Sequence, residues 1–109
     1  MLIDFSALPE TVVPHMRDGA GEVHLRKFAD DRGKIMRGRL PAGATIGLHV
    51  HETSSEVIYI LSGTGRVLCD GIDEPLAPGS CHYCPKGHAH SLINDSEGDL
   101  VFLAVVPEQ

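Results

Sequence analysis

Two histidines, His49 and His51, stand two residues apart in Thr45-Ile-Gly-Leu-His-Val-His51, an apolar setting rich in β-branched residues. On a strand, alternate residues share a face, so both imidazoles point the same way with Cα atoms roughly 7 Å apart. Four turn-forming residues, Glu52-Thr-Ser-Ser55, come next, and Glu56 then opens a second apolar run, Val57-Ile-Tyr-Ile-Leu61. If the turn returns that strand beside the first, the Glu56 carboxylate joins the two rings. Nitrogen and oxygen donors converging inside an apolar wall suit a divalent transition metal.

A second stretch, Gly79-Ser-Cys-His-Tyr-Cys-Pro-Lys-Gly-His-Ala-His-Ser-Leu-Ile-Asn94, reads as a strand, a Pro-Lys-Gly turn and a return strand carrying His90. Spacing alone does not bring His90 to the first site, because residues 57 to 89 intervene. Position for position, however, the two stretches resemble the paired signature motifs of the cupin superfamily. Gly43, His49, His51, Glu56 and Gly63 match the first motif; Gly79, Pro85, Gly87, His90 and Asn94 match the second. The resemblance covers about half the chain. One departure is Ser80, where the family often has Asp at a turn.

The resemblance implies an all-β fold, the double-stranded β-helix (jelly-roll) barrel of cupins, with one metal ion inside. Its ligands would be His49, His51, Glu56 and His90. Ligand type does not separate Fe, Mn, Ni, Co, Cu and Zn. Three imidazoles and one carboxylate leave one or two open positions on a five- or six-coordinate ion, where water, dioxygen or a chelating substrate can bind. The rival reading, a set of satisfied polar core residues without an ion, leaves a buried carboxylate at a high desolvation cost.

The elements that must position these groups are strands. Val23–Phe28 alternates, Asp30-Asp-Arg-Gly33 is a hairpin turn, and Lys34–Leu40 returns. Pro41-Ala-Gly43 breaks the chain before Thr45–His51. Further short strands are expected at Glu56–Ser62, Arg66–Cys69, Glu74–Leu76, Ser80–Cys84, His90–Asn94 and Leu100–Val106, with a tight turn at Asp70-Gly71. Even spacing and no amphipathic helix indicate an all-β barrel or sandwich. Residues 1–22 lack periodicity and are expected to form an N-terminal arm with a short turn or helical start near Ser6–Glu10, and residues 23–109 are expected to form the barrel domain. Val57–Leu61 and Leu100–Val106 are apolar on both faces, so the outer face needs cover. The resemblance implies a homodimer, with an arm-covered monomer as the alternative.

A chain of 109 residues is one domain, and an apolar content of 42% supports a packed core. A net charge of −6 argues against sequence-independent binding to nucleic acid or to an anionic membrane. No signal peptide is visible, and the apolar run Leu100–Val106 is too short to span a bilayer. Cys69, Cys81 and Cys84 form an odd set without disulfide-scaffold spacing, and a cytoplasmic protein is expected.

Other residues compete for a role. Cys81-His-Tyr-Cys84, with His88 and His90, is a candidate local zinc site, but residues three apart on a strand face opposite ways. No helix follows to stabilise a redox thiolate, so the cysteines read as small strand apolars. His82 or Tyr83, whichever faces inward, is a candidate proton donor or base, and His88 shares parity with His90. Arg26, Lys27, Arg32, Lys34, Arg37 and Arg39 crowd one hairpin. A charged sheet edge accounts for them; Arg37 or Arg39 pairing with an anionic substrate is the sharper alternative.

Two function classes remain. One is a metal-dependent enzyme on a polar or carboxylated small molecule, in which the ion stabilises an enolate or activates dioxygen and Glu56 shuttles a proton. Dioxygenase, isomerase, decarboxylase and lyase chemistry all fit. The other is a non-catalytic protein that binds or senses a metabolite or the metal, with a purely structural ion as a third option.

Overall fold

The computed structural model describes residues Met1–Gln109 and contains ten strands and no α-helix. In chain order the strands are β1 (Thr11–Pro14), β2 (Glu22–Asp30), β3 (Gly33–Leu40), β4 (Thr45–Val50), β5 (Glu56–Ser62), β6 (Gly65–Cys69), β7 (Ile72–Leu76), β8 (Cys81–Cys84), β9 (Ala89–Ile93) and β10 (Leu100–Pro107). They form a six-stranded sheet, ordered β1-β2-β3-β10-β5-β8, and a four-stranded sheet, ordered β4-β9-β6-β7, with every pairing antiparallel. The fold is the expected jelly-roll. Two short 3₁₀ turns, Phe5–Ala7 and Met16–Asp18, precede and follow β1.

Turn chemistry explains where the chain reverses. Asp70 and Gly71 both have positive φ, 51° and 79°, the pairing of a type I′ hairpin turn between β6 and β7. The β2–β3 hairpin closes through Gly33, whose φ of 142° lets the backbone lie against the Val106 carbonyl. Residues 11–14 are not free of the sheet, because β1 pairs with β2 in register Thr11↔Leu25 to Pro14↔Glu22.

Alternation then sorts the side chains. β10 turns Leu100, Phe102, Ala104 and Val106 inward, β5 adds Ile58 and Ile60, and β6 and β9 supply Val67 and Leu92 from the opposite sheet. Phe102 fills the middle of this core and is 2% exposed. Its cross-strand partner is Gly38, and a Cβ there would lie 2.2 Å from the ring. The outer face of the larger sheet also carries apolar residues, in a continuous row Tyr83–Val57–Val105–Ile35–Phe28 across five strands.

The turn at residues 52–55 does something other than make a hairpin. β4 and β5 lie in different sheets, so Glu52–Ser55 carries the chain across the barrel. Glu56 therefore reaches His51 from the facing layer, not from a neighbouring strand.

The Gly38–Phe102 contact gives a stability test. Gly38→Ala must displace a buried ring, an overpacking cost of about 1–3 kcal/mol. For a domain of this size that lowers the thermal midpoint by roughly 4–20 °C, measurable by circular dichroism.

Candidate metal centre

The barrel encloses a cavity of about 630 Å³, and His49, His51, Glu56 and His90 lie together in its wall. One donor atom from each falls within 4.8 Å of the others. Glu56 Oε1 is 3.0 Å from His51 Nε2 and 2.9 Å from His90 Nε2, and those two nitrogens are 2.9 Å apart. The three rings stand edge to face with centroids 4.8–5.0 Å apart.

A β-bulge aims two of these groups. In the β4–β9 pairing the register slips between Ile46 and His49, so Gly47-Leu48 carries an extra residue. Before the bulge the even-numbered Ala44 and Ile46 face the interior; after it His49 and His51 do, and Leu48 is turned out to solvent. A bulge beside a site re-aims side chains in this way. The Gly47 carbonyl, freed from the ladder, lies 2.7 Å from His49 Nδ1. His90 sits directly across from His49 on β9, which is how the second stretch reaches the first.

Each imidazole has a partner on the nitrogen away from the cluster. His49 Nδ1–H donates to the Gly47 carbonyl, leaving Nε2 bare. His51 Nδ1 is 3.0 Å from the Ser54 hydroxyl, which can donate or accept. His90 Nδ1 is 3.0 Å from His82 Nε2, and His82 Nδ1 is 2.8 Å from Glu74 Oε1. Metal-ligating histidines are ordinarily oriented through their second nitrogen. Metal–donor bonds of about 2.0–2.2 Å place neighbouring donors roughly 3 Å apart, which is the spacing of Glu56, His51 and His90, with His49 within 4.8 Å of them. The donor set could hold a divalent transition metal.

Burial keeps His49 and His82 below the usual histidine range, so both are neutral at pH 7. For Glu56, burial pushes the carboxyl up, but the His51 and His90 contacts outweigh it and bring it down to about 2. The carboxylate is thus ionised and the donors stand ready.

Other expected residues fall elsewhere. Tyr83 is 55% exposed on the outer face of β8, away from the cavity, because strand alternation turns it opposite to His82. His82 faces inward but lies behind His90, outside the cavity wall. His88 is exposed outside the cavity lining and pairs with Asp70. Cys81 points outward and Cys84 inward, so the C-x-x-C pair does not converge; Cys84 meets Cys69 and His82 in the core. Arg37 and Arg39 face the outer surface, where Arg39 pairs with Glu10 and Asp99. The basic groups that do reach the cavity are Arg17, Lys27 and Lys34, alongside the acidic Glu52 and Glu108.

Sequence reasoning missed Arg17 within the N-terminal segment. His15, Arg17 and Asp18 all have positive φ, and the Arg17 carbonyl packs so closely on Gly47 that a Cβ there would be 1.9 Å away. That strained strap sets Met16 and Arg17 at the cavity.

Comparison with known proteins agrees with this geometry. The profile of the Cupin domain family matches residues 36–106. An oxalate-binding protein of Thermotoga maritima is 33% identical over 97% of this chain and 93% of its own. A solved structure described as a predicted oxalate decarboxylase from Thermotoga maritima superposes with a TM-score of 0.93 at 32% identity, covering all of both chains. A sugar phosphate isomerase from Silicibacter pomeroyi shares the fold at a TM-score of 0.79 and 21% identity, over 100% of this chain and 76% of that one.

Each depressed group binds a proton more readily in the unfolded chain, which sets the direction of pH dependence. The stability contributed by neutral His49 and His82 is complete above pH 6.5 and is lost as pH falls through their lower folded values. The Glu56 share persists until pH drops below 4.5 and is lost toward about 2. In chelator-treated protein the thermal midpoint should therefore fall on acidification below pH 6.5, less steeply in His49→Gln; a midpoint that rises there contradicts the assignment.

Proposed function

This chain belongs to the cupin superfamily, and on that footing we propose that it is a metal-dependent protein for small carboxylates, with oxalate as the favoured ligand. His49, His51, Glu56 and His90 hold the ion. The observation that carries this reading is the charge balance of one cavity. A divalent ion and the Glu56 carboxylate together leave one positive charge in a low-dielectric wall. Arg17, Lys27 and Lys34 add to it, while Glu52 and Glu108 offset part of it. Such a site favours an anion, and the name of the Thermotoga relative supports the same ligand class.

When bound, the ion supplies Lewis acidity and one or two open positions for ligand oxygens. The chain's own residues orient and enclose the ligand. Arg17 offers a planar fork that matches a carboxylate. Ile46, Leu92 and Phe102 line the cavity with apolar surface that excludes water. Glu56 is the donor able to take up a proton.

Turnover is a second reading, favoured by the solved relative described as a predicted oxalate decarboxylase. Its signature is loss of hydrogen oxalate with release of one carbon dioxide and one formate. Binding without those products leaves the non-catalytic reading.

The homodimer belongs to this proposal too. Tyr59, Leu61 and Tyr83 are 42%, 40% and 55% exposed on the outer face of the larger sheet, beside Val57 and Leu103. A second copy would cover them. Light scattering should give a dimer mass for the native chain and a monomer mass for Tyr59→Arg.

Calorimetry on purified protein tests the ligand. Oxalate should bind the protein reloaded with Mn²⁺ and not the chelated form. His51→Ala should fall well below one ion per chain, and stoichiometric metal in that variant would overturn the ligand set. Arg17→Ala should keep its ion and bind oxalate roughly 10-fold or more weakly, as expected for losing a charged hydrogen bond.

A further inference from the structure

Behind the donor cluster lie two polar groups outside the cavity wall, Glu74 and His82, that join it through His90. Glu74 on β7 contacts His82 on β8 at 2.8 Å, and His82 contacts His90 on β9 at 3.0 Å. β7 and β8 are the edge strands of the two sheets, so the line crosses the open seam of the barrel. His82 is 3% exposed and His90 1%, so both rings are buried.

Without an ion, Glu74 at one end and Glu56 at the other both call for a proton, and two neutral rings cannot fill all three contacts. Once an ion holds Glu56 and His90 Nε2, the direction of the line has one solution. An ionised carboxylate only accepts, so His82 must carry its proton on Nδ1 and present a bare Nε2. That bare nitrogen accepts from His90, which places the His90 proton on Nδ1. His90 Nε2 is then bare and faces Glu56 and His51. We infer that His82 and Glu74 are positioning residues that lock His90 in its metal-binding tautomer, an inference that rests on the four-donor reading of the site. His49 is locked likewise by the Gly47 carbonyl. His51 is the ring left free to change tautomer, because the Ser54 hydroxyl serves either form. In the metal-free state His51 can donate from Nε2 to Glu56; on metal binding its proton moves to Nδ1.

Cys69, His82 and Cys84 offer a competing use for the same ring, since their donor atoms also lie within 4.8 Å. Both His82 nitrogens are already engaged, however. The Cys84 thiol is turned to the His88 carbonyl at 3.6 Å and the Pro85 carbonyl at 3.9 Å. The two thiols therefore act as dry walls around the line and not as a second ion site.

The test combines nitrogen NMR of the histidine rings with Co²⁺ titration of chelator-stripped full-length protein. In the native chain loaded with Zn²⁺, His82 should show a protonated Nδ1 and a bare Nε2. His82→Phe removes the acceptor and should bind Co²⁺ about 10–100-fold more weakly, the usual cost of losing an outer partner. His82→Gln, whose amide oxygen can accept from Nδ1–H, should recover most of that affinity, and thermal melts identify a variant that has merely unfolded. Unchanged Co²⁺ affinity in His82→Phe, or a native His82 that carries its proton on Nε2, would overturn the inference. Native protein that takes up no Co²⁺ would instead sink the metal reading on which the inference rests. If Cys84→Ala weakens Co²⁺ as much as His82→Phe, and the native complex shows thiolate-to-cobalt absorption, the ion belongs to the cysteine group and the inference fails.

Discussion

A carboxylate shut inside a β-barrel is the constraint around which this molecule is arranged. Glu56 is 9% exposed, and moving an unpaired charge of that kind out of water costs several kcal/mol. Two imidazoles within 3.0 Å answer that cost, and they do so with nitrogens that can equally face a cation. Satisfying the anion and presenting a donor set are the same geometry. The strand order, the bulge in β4 and the crossing at residues 52–55 all serve to keep those groups in register.

The two sheets divide the work. The larger one contributes the hydrophobic bulk, with Phe102 seated over the missing Cβ of Gly38, and supplies only Glu56 to the cluster. The smaller one carries His49 and His90 as direct cross-strand partners. Donors from both layers meet in the gap between them, where jelly-roll packing leaves room that side chains do not fill.

Much of this was legible in the chain. Period-two alternation located nine strands, and the Asp70-Gly71 and Gly33 turns announced their hairpins, because only those residue types tolerate positive φ at low cost. The four donors were legible through the likeness of two short motifs to a known family, not through spacing, since register between β4 and β9 is a long-range property. What stayed hidden was of the same kind. His82 and Glu74 meet across a seam between sheets that no local pattern records. Arg17 lies in a segment without periodicity, delivered to the cavity by three left-handed residues and by the bare backbone of Gly47. Arg37 and Arg39 looked equally suited to an anion, but strand parity turns them outward while Lys34, on the same strand, faces in.

The strap at His15–Gly19 lies far in sequence from the donors yet adjoins them in space, packed on the strand that bears His49. Ion capture and rim composition are thereby written in separate passages of the chain. Exchanging the Met16 or Arg17 side chain would alter which molecules are admitted while Gly19 and Gly47 keep the strap's backbone seated on β4. The same scaffold could diversify its clientele by editing one short passage while its chemistry stayed fixed.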